Sequence, residues 1–366
     1  MTSQGRHVGD RGGPIINRRR LLLGAAAVGG FLALDAGALL AAANLIGPAR
    51  LTPQTFMDGF ARVNGLHPGF RRNHAKGVAV SGYFDGSGEG RALSKAAVFE
   101  VGRTPVLGRF SLSGGNPGVA DAPATARGLG LALGFPGDGQ WRTAMLNLPV
   151  FPDNSPQGFY DRLLASEADP ATGKPDPAEM ARFLAAHPET AKAMALIKAK
   201  PPSPGFADSR FGGLIAFYAV SASGVRTPVR WWFEPLQRAL PPRTGTDPRN
   251  ALFDALIRQL DAGPLRWRLV LIVGQPEDPT RDATLPWPTN RRNVDAGILT
   301  LTGIETDGVG NAGDINFDPM VLPTGIEPSE DPLLSARSAA YAASYRLRTQ
   351  ETATEAPAVR VEEVTS

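Results

Sequence analysis

Three short stretches bring together side chains that can do acid–base or metal chemistry. The first is Arg71-Arg72-Asn73-His74-Ala75-Lys76-Gly77, a histidine set between basic residues and a run of small and β-prone residues that alternates into Tyr83-Phe84 and predicts a strand. An imidazole titrates close enough to neutrality to take a proton and give it back. The second is Thr104-Pro105-Val106-Leu107-Gly108-Arg109-Phe110-Ser111. Residues two apart in a strand share a face, so Arg109 and Ser111 look one way and Phe110 the other. If this strand neighbours His74, the hydroxyl can hold one ring nitrogen and leave the other free as a base. The third is Arg337-Ser338-Ala339-Ala340-Tyr341, whose Arg and Tyr, four apart, lie on one face of a helix. A guanidinium there favours the phenolate, which needs such help and a metal cation to exist near neutral pH.

Each pattern alone also fits a structural role. A lone histidine is commonly a half-buried hydrogen-bonding side chain, an Arg/Ser pair can be the outward face of an edge strand, and an arginine stacked on a tyrosine is an ordinary surface arrangement. Their combination depends on what the rest of the chain builds.

The 366 residues, 42% hydrophobic and 20% charged, suffice for one large core or two domains. Gly 42 and Pro 33 suit a β-rich fold with many turns. The net charge is only +3, and Arg6, Arg11, Arg18, Arg19 and Arg20 against Asp10 supply much of the excess. The body is near neutral and carries no nucleic-acid footprint. With Cys 0, disulfides, thiolate metal sites, iron–sulfur clusters and covalent c-type haem attachment are excluded.

Along the chain, a basic region at 1–20 precedes an apolar run at 21–46 interrupted by Asp35 alone. The run is long enough to span a bilayer, at a cost of about 3 kcal/mol for a mid-helix acid. Arg18-Arg19 ahead of leucines has the form of a twin-arginine export signal, with Ala41-Ala42-Ala43 as a cleavage site. The expectation is a periplasmic protein, soluble after export or anchored to the inner membrane through 21–46. Beyond it, strands are predicted at about 75–84, 96–102, 106–113, 127–135, 141–147, 214–222, 227–233, 266–273 and 297–303, enough for an antiparallel sheet that closes into a barrel. Helices are predicted at 52–64, opened by Thr52-Pro53, and at 156–166, 176–198, 250–261 and 331–348. Residues 47–348 read as one domain, and 349–366, rich in Thr, Glu and Ala, as a flexible tail.

Taken together, the blocks resemble the haem catalase family. Arg71-x-x-His74-Ala75-Lys76-Gly77 is similar to its distal segment, Thr104 to Ser111 to its second distal segment, and Ala126-Arg127-Gly128-Leu129-Gly130 to the strand that follows. Asn147-Leu148-Pro149-Val150-Phe151, Asn316-Phe317-Asp318-Pro319 and Gly325-Ile326-Glu327-Pro328-Ser329 match later blocks, and Arg337-x-x-x-Tyr341 the proximal pair. The resemblance implies an α+β fold, an eight-stranded antiparallel β-barrel with flanking helices and a buried b-type haem. It implies that Tyr341 is the iron ligand, as tyrosinate is in some haem proteins. His74, Ser111 and Arg337 take catalytic roles. Arg71, Arg109 and Arg348 hold the propionates, and Phe151 and Phe159 form the distal walls.

The departures from the family also carry expectations. The C-terminal helical domain and long N-terminal arm of larger catalases are missing, which points to a monomer or homodimer. Leu146 stands where the family has its distal asparagine, and Asn147 matches the next residue. Asn73 and Ser113 replace distal valines. These changes resemble the short catalase-related peroxidases. The implied activity is reduction of hydrogen peroxide or organic peroxides with a small-molecule electron donor, with weak catalase turnover. A true catalase, an enzyme acting on fatty-acid hydroperoxides, and an exported haem- or lipid-binding barrel without activity are the alternatives.

Overall fold

Apolar and β-branched runs punctuated by Gly, Asp and Pro make the strands of this chain, and they pair in antiparallel order. The structure is a computed structural model that describes residues 51–121, 126–137, 139–200, 203–238 and 249–365. The basic region at 1–20 and the export or anchor run at 21–46 lie outside these. The strands are β1 (Gly77–Gly86), β2 (Gly102–Leu112), β3 (Arg127–Leu133), β4 (Trp141–Leu146), β5 (Phe211–Val220), β6 (Arg226–Pro235), β7 (Leu265–Val273), β8 (Arg292–Glu305) and β9 (Ile326–Pro328). Their order is β4-β3-β2-β1-β8-β7-β6-β5, and a bridge from Leu146 to Gly212 closes β4 onto β5. The result is the expected closed eight-stranded barrel, with β9 as a short addition to β5.

Alternation along each strand separates two faces. Val78 and Val80, Phe110 and Leu112, Leu129, Leu131 and Leu133, Trp231 and Phe233, and Trp267, Leu269 and Leu271 all join one buried core. Phe110 lies 5.7 Å from Phe211 and 5.8 Å from Trp267 between ring centroids, and Trp141 lies 5.1 Å from Trp231. Side chains thus fill one face of the sheet. The opposite face of β1–β4 is free to build a site.

Among the described residues six helices and a short C-terminal turn flank the barrel. In α1 (Pro53–Asn64), Thr52 accepts from the Thr55 N–H in a capping box, and Phe56, Met57 and Phe60 are buried. Ser155 caps α2 (Pro156–Ala165) by accepting the Gly158 N–H at 3.1 Å. The single helix predicted over 176–198 is two helices, α3 (Pro177–Ala186) and α4 (Pro188–Ala199). Pro188 has no N–H to give and disfavours helical backbone before it, so His187 sits at φ −123 and ψ 71. Then come α5 (Ala251–Ala262) and α6 (Pro332–Gln350), the latter capped by Asp331. Among the described residues no helix is long and apolar enough to cross a membrane.

Two other expectations are corrected. No separate strand spans 96–102: Ala97–Phe99 form a 3₁₀ turn that drives Val98 and Phe99 into the core, and β2 begins at Gly102. The tail predicted to be flexible at 349–366 packs onto the body over its described residues, 349–365. Val359 is 1% exposed, the Ala358 carbonyl accepts from Asn250 Nδ2 at 2.8 Å, the Val361 N–H donates to Thr306 Oγ1 at 2.9 Å, and Glu351 pairs with Arg72. The last turn is α7 (Glu362–Thr365). Polar composition hid the valines, which supply the apolar anchors.

Candidate active site

Register across four strands lays out the floor of a cavity. Gly77, Ser111, Gly128 and Leu146 form one row across β1, β2, β3 and β4. Ala79, Arg109, Gly130 and Ala144 form the next row. Both rows point away from the packed core, and small residues keep them low. A β-carbon on Gly128 would stand 2.8 Å from Ser111 Oγ and 3.1 Å from the His74 ring. One on Gly130 would stand 2.8 Å from the Phe317 ring. Above this floor lies a cavity of about 450 Å³, within the range of small-molecule and cofactor sites. His74, Ser111, Arg337, Arg71, Arg109, Phe151, Phe159, Arg348 and Tyr341, which the sequence singles out from positions spread over 278 residues (348 − 71 + 1), all line it.

His74 sits in the loop before β1 with φ 59, the one non-glycine residue with positive φ among those described. Asn73 Oδ1 accepts from both the His74 N–H (3.0 Å) and the Gly114 N–H (2.9 Å), and the Ala75 N–H donates to the Gly114 carbonyl (3.0 Å). The ring faces the cavity with Nδ1 3.0 Å from Ser111 Oγ. Burial, then the positive charges of Arg109, Arg337 and Arg71, lower its pKa to about 3. The imidazole is therefore neutral at any physiological pH.

Arginines crowd one end. Arg109 is committed to the protein: Nε donates to Asp307 (2.8 Å), Nη1 to the His74 carbonyl (2.8 Å) and Nη2 to the Ala75 carbonyl (3.0 Å). Arg71 donates to the Ile315 carbonyl at 2.8 Å. Burial, then the like charges of Arg109 and Arg348, push its guanidinium well below the ordinary value. Burial first, then Arg109, also lowers Arg348, and its Nη2 is buried with no partner among the described residues. Three cations thus meet chiefly Asp307, with Asp314 acting on Arg348. This surplus matches a ligand that brings negative charge.

Tyr341 and Arg337 project from α6 into the cavity, and Tyr341 packs against Ala79, Ala132, Ala312 and Phe317. The Arg337 guanidinium stands 5.9 Å from the Tyr341 ring centroid and 6.0 Å from that of Phe151, and donates to the Ala144 carbonyl at 3.1 Å. It lies over the rings and is braced on β4, where the sequence suggests direct support of the phenol oxygen.

The remaining walls are apolar. Phe151 and Phe159 stack at 6.3 Å, and Phe56, Met57 and Phe60 of α1 add a face that sequence reasoning did not assign to the site. The burial of that face in an amphipathic helix was its one signal. Asp307, which follows β8 and anchors Arg109, gave no local signal. Leu146 faces the cavity, whereas Asn147 turns away and accepts the Arg127 N–H at 2.8 Å.

A family model described as Catalase matches residues 34–246, more than half of the chain. The chain belongs to the catalase family. A catalase-related peroxidase of Synechococcus elongatus is 37% identical over 303 residues, covering 82% of this chain and 89% of its own length. A catalase-related peroxidase of Mycolicibacterium paratuberculosis is 31% identical, covering 82% and 95%. The catalase of Drosophila melanogaster is 26% identical and is matched over 63% of its length. Among solved structures, catalase A from Saccharomyces cerevisiae aligns with a TM-score of 0.67 at 23% identity, and a bacterial catalase with 0.66 at 22%. They show the same fold, and the chain spans 66% and 62% of their lengths.

The catalase family uses haem, and the cavity fits it. The floor rows are kept flat by glycine and alanine, the arginine surplus suits two propionates, and a phenol is available to the iron.

Proposed function

We propose that this catalase-family chain is a haem b-dependent peroxidase that reduces hydrogen peroxide or an organic peroxide with a small organic electron donor and has weak catalase turnover. The observation that carries the reading is the neutral His74–Ser111 pair in one cavity with Tyr341 and a surplus of arginines, with leucine where a distal amide would stand. The catalase-related peroxidases that match nearly end to end support it.

Haem, when bound, supplies the redox centre for cleavage of the O–O bond. The protein does the rest. With Nδ1–H donated to Ser111 Oγ, His74 Nε2 is unprotonated and free to take the peroxide proton and return it to the departing oxygen. The low imidazole pKa keeps that nitrogen available as a base. Tyr341 would ligate the iron, and Arg337, braced on the Ala144 carbonyl, lies 5.9 Å from the centre of its ring. Arg71 and Arg348 hold the propionates. Arg109 holds the His74 main chain and adds its charge. Phe151 and Phe159 keep water from the distal side.

Tyr341→Phe tests the assignment. The variant should lose most of its haem, read by pyridine haemochrome titration, and change its ferric absorption spectrum. Full haem content with an unchanged spectrum refutes the proximal role. Steady-state peroxide consumption with a chromogenic donor separates the enzyme from a carrier that merely holds haem.

A further inference from the structure

We propose that Asn73 binds the peroxide, its carboxamide supplying the hydrogen-bond donor that Leu146 cannot. The inference rests on the peroxidase reading and names a residue of the same site. Asn73 Oδ1 accepts two main-chain N–H bonds, from His74 and Gly114. An amide oxygen held by two donors fixes the orientation of the carboxamide and sends Nδ2 the other way. Nδ2 makes no hydrogen bond among the described residues, yet it is not one of their buried orphan atoms, so it has open space in front of it. Asn73 lines the cavity beside His74 and Ser113, so we take Nδ2 to open onto it.

The two ends of this amide therefore do different things. The oxygen holds His74 in its left-handed conformation, which a non-glycine residue rarely adopts unaided. The nitrogen offers two N–H donors next to the distal base. A peroxide needs such a donor on one oxygen while His74 Nε2 takes the proton from the other. The row that ends in Leu146 is apolar at that edge and gives none. The chain thus places its distal amide on the loop before β1 instead of on β4.

Substitutions separate the two ends. Asn73→Asp keeps an acceptor oxygen for both main-chain N–H groups and loses the donor. Asn73→Ala loses both. The haem-loaded full chain, these two variants and the double variant Asn73→Asp/Leu146→Asn are compared for kcat and KM with hydrogen peroxide at saturating chromogenic donor. Haem content and melting temperature are read on the same samples. In Asn73→Asp, kcat/KM for hydrogen peroxide should fall about tenfold with the melting temperature kept, as loss of one hydrogen bond in a dry pocket implies. Asn73→Ala should fall as far and also melt lower. An amide restored at position 146 in the double variant should recover most of the loss. Wild-type efficiency in Asn73→Asp reduces Asn73 to a main-chain clamp and overturns the proposal. A loss that Leu146→Asn does not repair assigns the defect to charge or geometry and overturns it equally. A wild type that holds haem and consumes no peroxide instead overturns the peroxidase reading itself, and with it this inference.

Discussion

Position 146 is where the proposed peroxidase would meet a second peroxide on the distal side. Leu146 shares the row of Ser111 and Gly128 and faces the cavity, while the neighbouring amide of Asn147 is spent on the Arg127 N–H. A leucine cannot hydrogen-bond a peroxide, but it gains from contact with the carbon skeleton of an organic donor or peroxide. One hydrogen bond in such a pocket contributes about 1–3 kcal/mol, or one to two decades in rate when it acts in the transition state. Leu146→Asn should therefore raise oxygen evolution from hydrogen peroxide about tenfold and leave donor oxidation equal or lower. An oxygen electrode and a chromogenic donor assay on haem-normalised samples read both. A variant with no gain in oxygen evolution would show that this side chain does not set the balance.

At the scale of elements, α6 carries both Arg337 and Tyr341, and its start is electrostatically unusual. Asp331 caps it through Oδ1, which accepts the Leu333 N–H at 2.9 Å, while Oδ2 is buried with no partner among the described residues. Burial raises this carboxyl to about 6, against the cap bond and the cations Arg230 and Arg337, with Asp282 adding to the rise. A raised folded pKa means that the folded state binds the proton more tightly than the unfolded chain between roughly pH 4 and 6. Stability from this group is thus complete below about pH 4 and lost as pH rises through about 6. Asp331→Asn keeps the cap acceptor and removes the buried charge. It should stabilise the protein by about 1–2 kcal/mol at pH 8 and by almost nothing at about pH 3, below the unfolded pKa, with chemical denaturation as the measure. An equal effect at both pH values would mean that the charge is not the cause.

Across the whole described body, the C-terminal residues act as a strap. Glu351 pairs with Arg72, two residues from His74, and Arg72 also donates to the Phe70 carbonyl at 3.1 Å. Further on, Val359 enters the main core and Ala358 and Val361 bond to Asn250 and Thr306. The strap thus links the distal loop, α5 and the end of β8. Val359→Ala leaves a cavity in a closed site and should cost about 1–3 kcal/mol. Denaturant midpoints measure the loss, and an unchanged midpoint would show that the strap is only loosely held. Because Val359 does not line the cavity, turnover per haem should change little.

Local patterns in the sequence determined the elements and the chemical cast. Thr52-Pro53, Ser155-Pro156 and Asp331-Pro332 mark helix starts because the cap and the proline act within one turn. Strand alternation separates Arg109 and Ser111 from Phe110, and spacing by four puts Arg337 and Tyr341 on one helix face, so these side chains were legible before any fold was known. Where an element depends on burial instead of local preference, the sequence misleads: the 3₁₀ turn at Ala97–Phe99 and the packed tail are both decided by distant partners. The site itself belongs to the tertiary structure. Strand register aligns Ser111, Gly128 and Leu146, Asp307 crosses 198 residues to hold Arg109, and a two-way clamp aims the Asn73 amide. Each is a pairing between separate segments of the chain, and only strand pairing and tertiary packing bring such segments within hydrogen-bond reach.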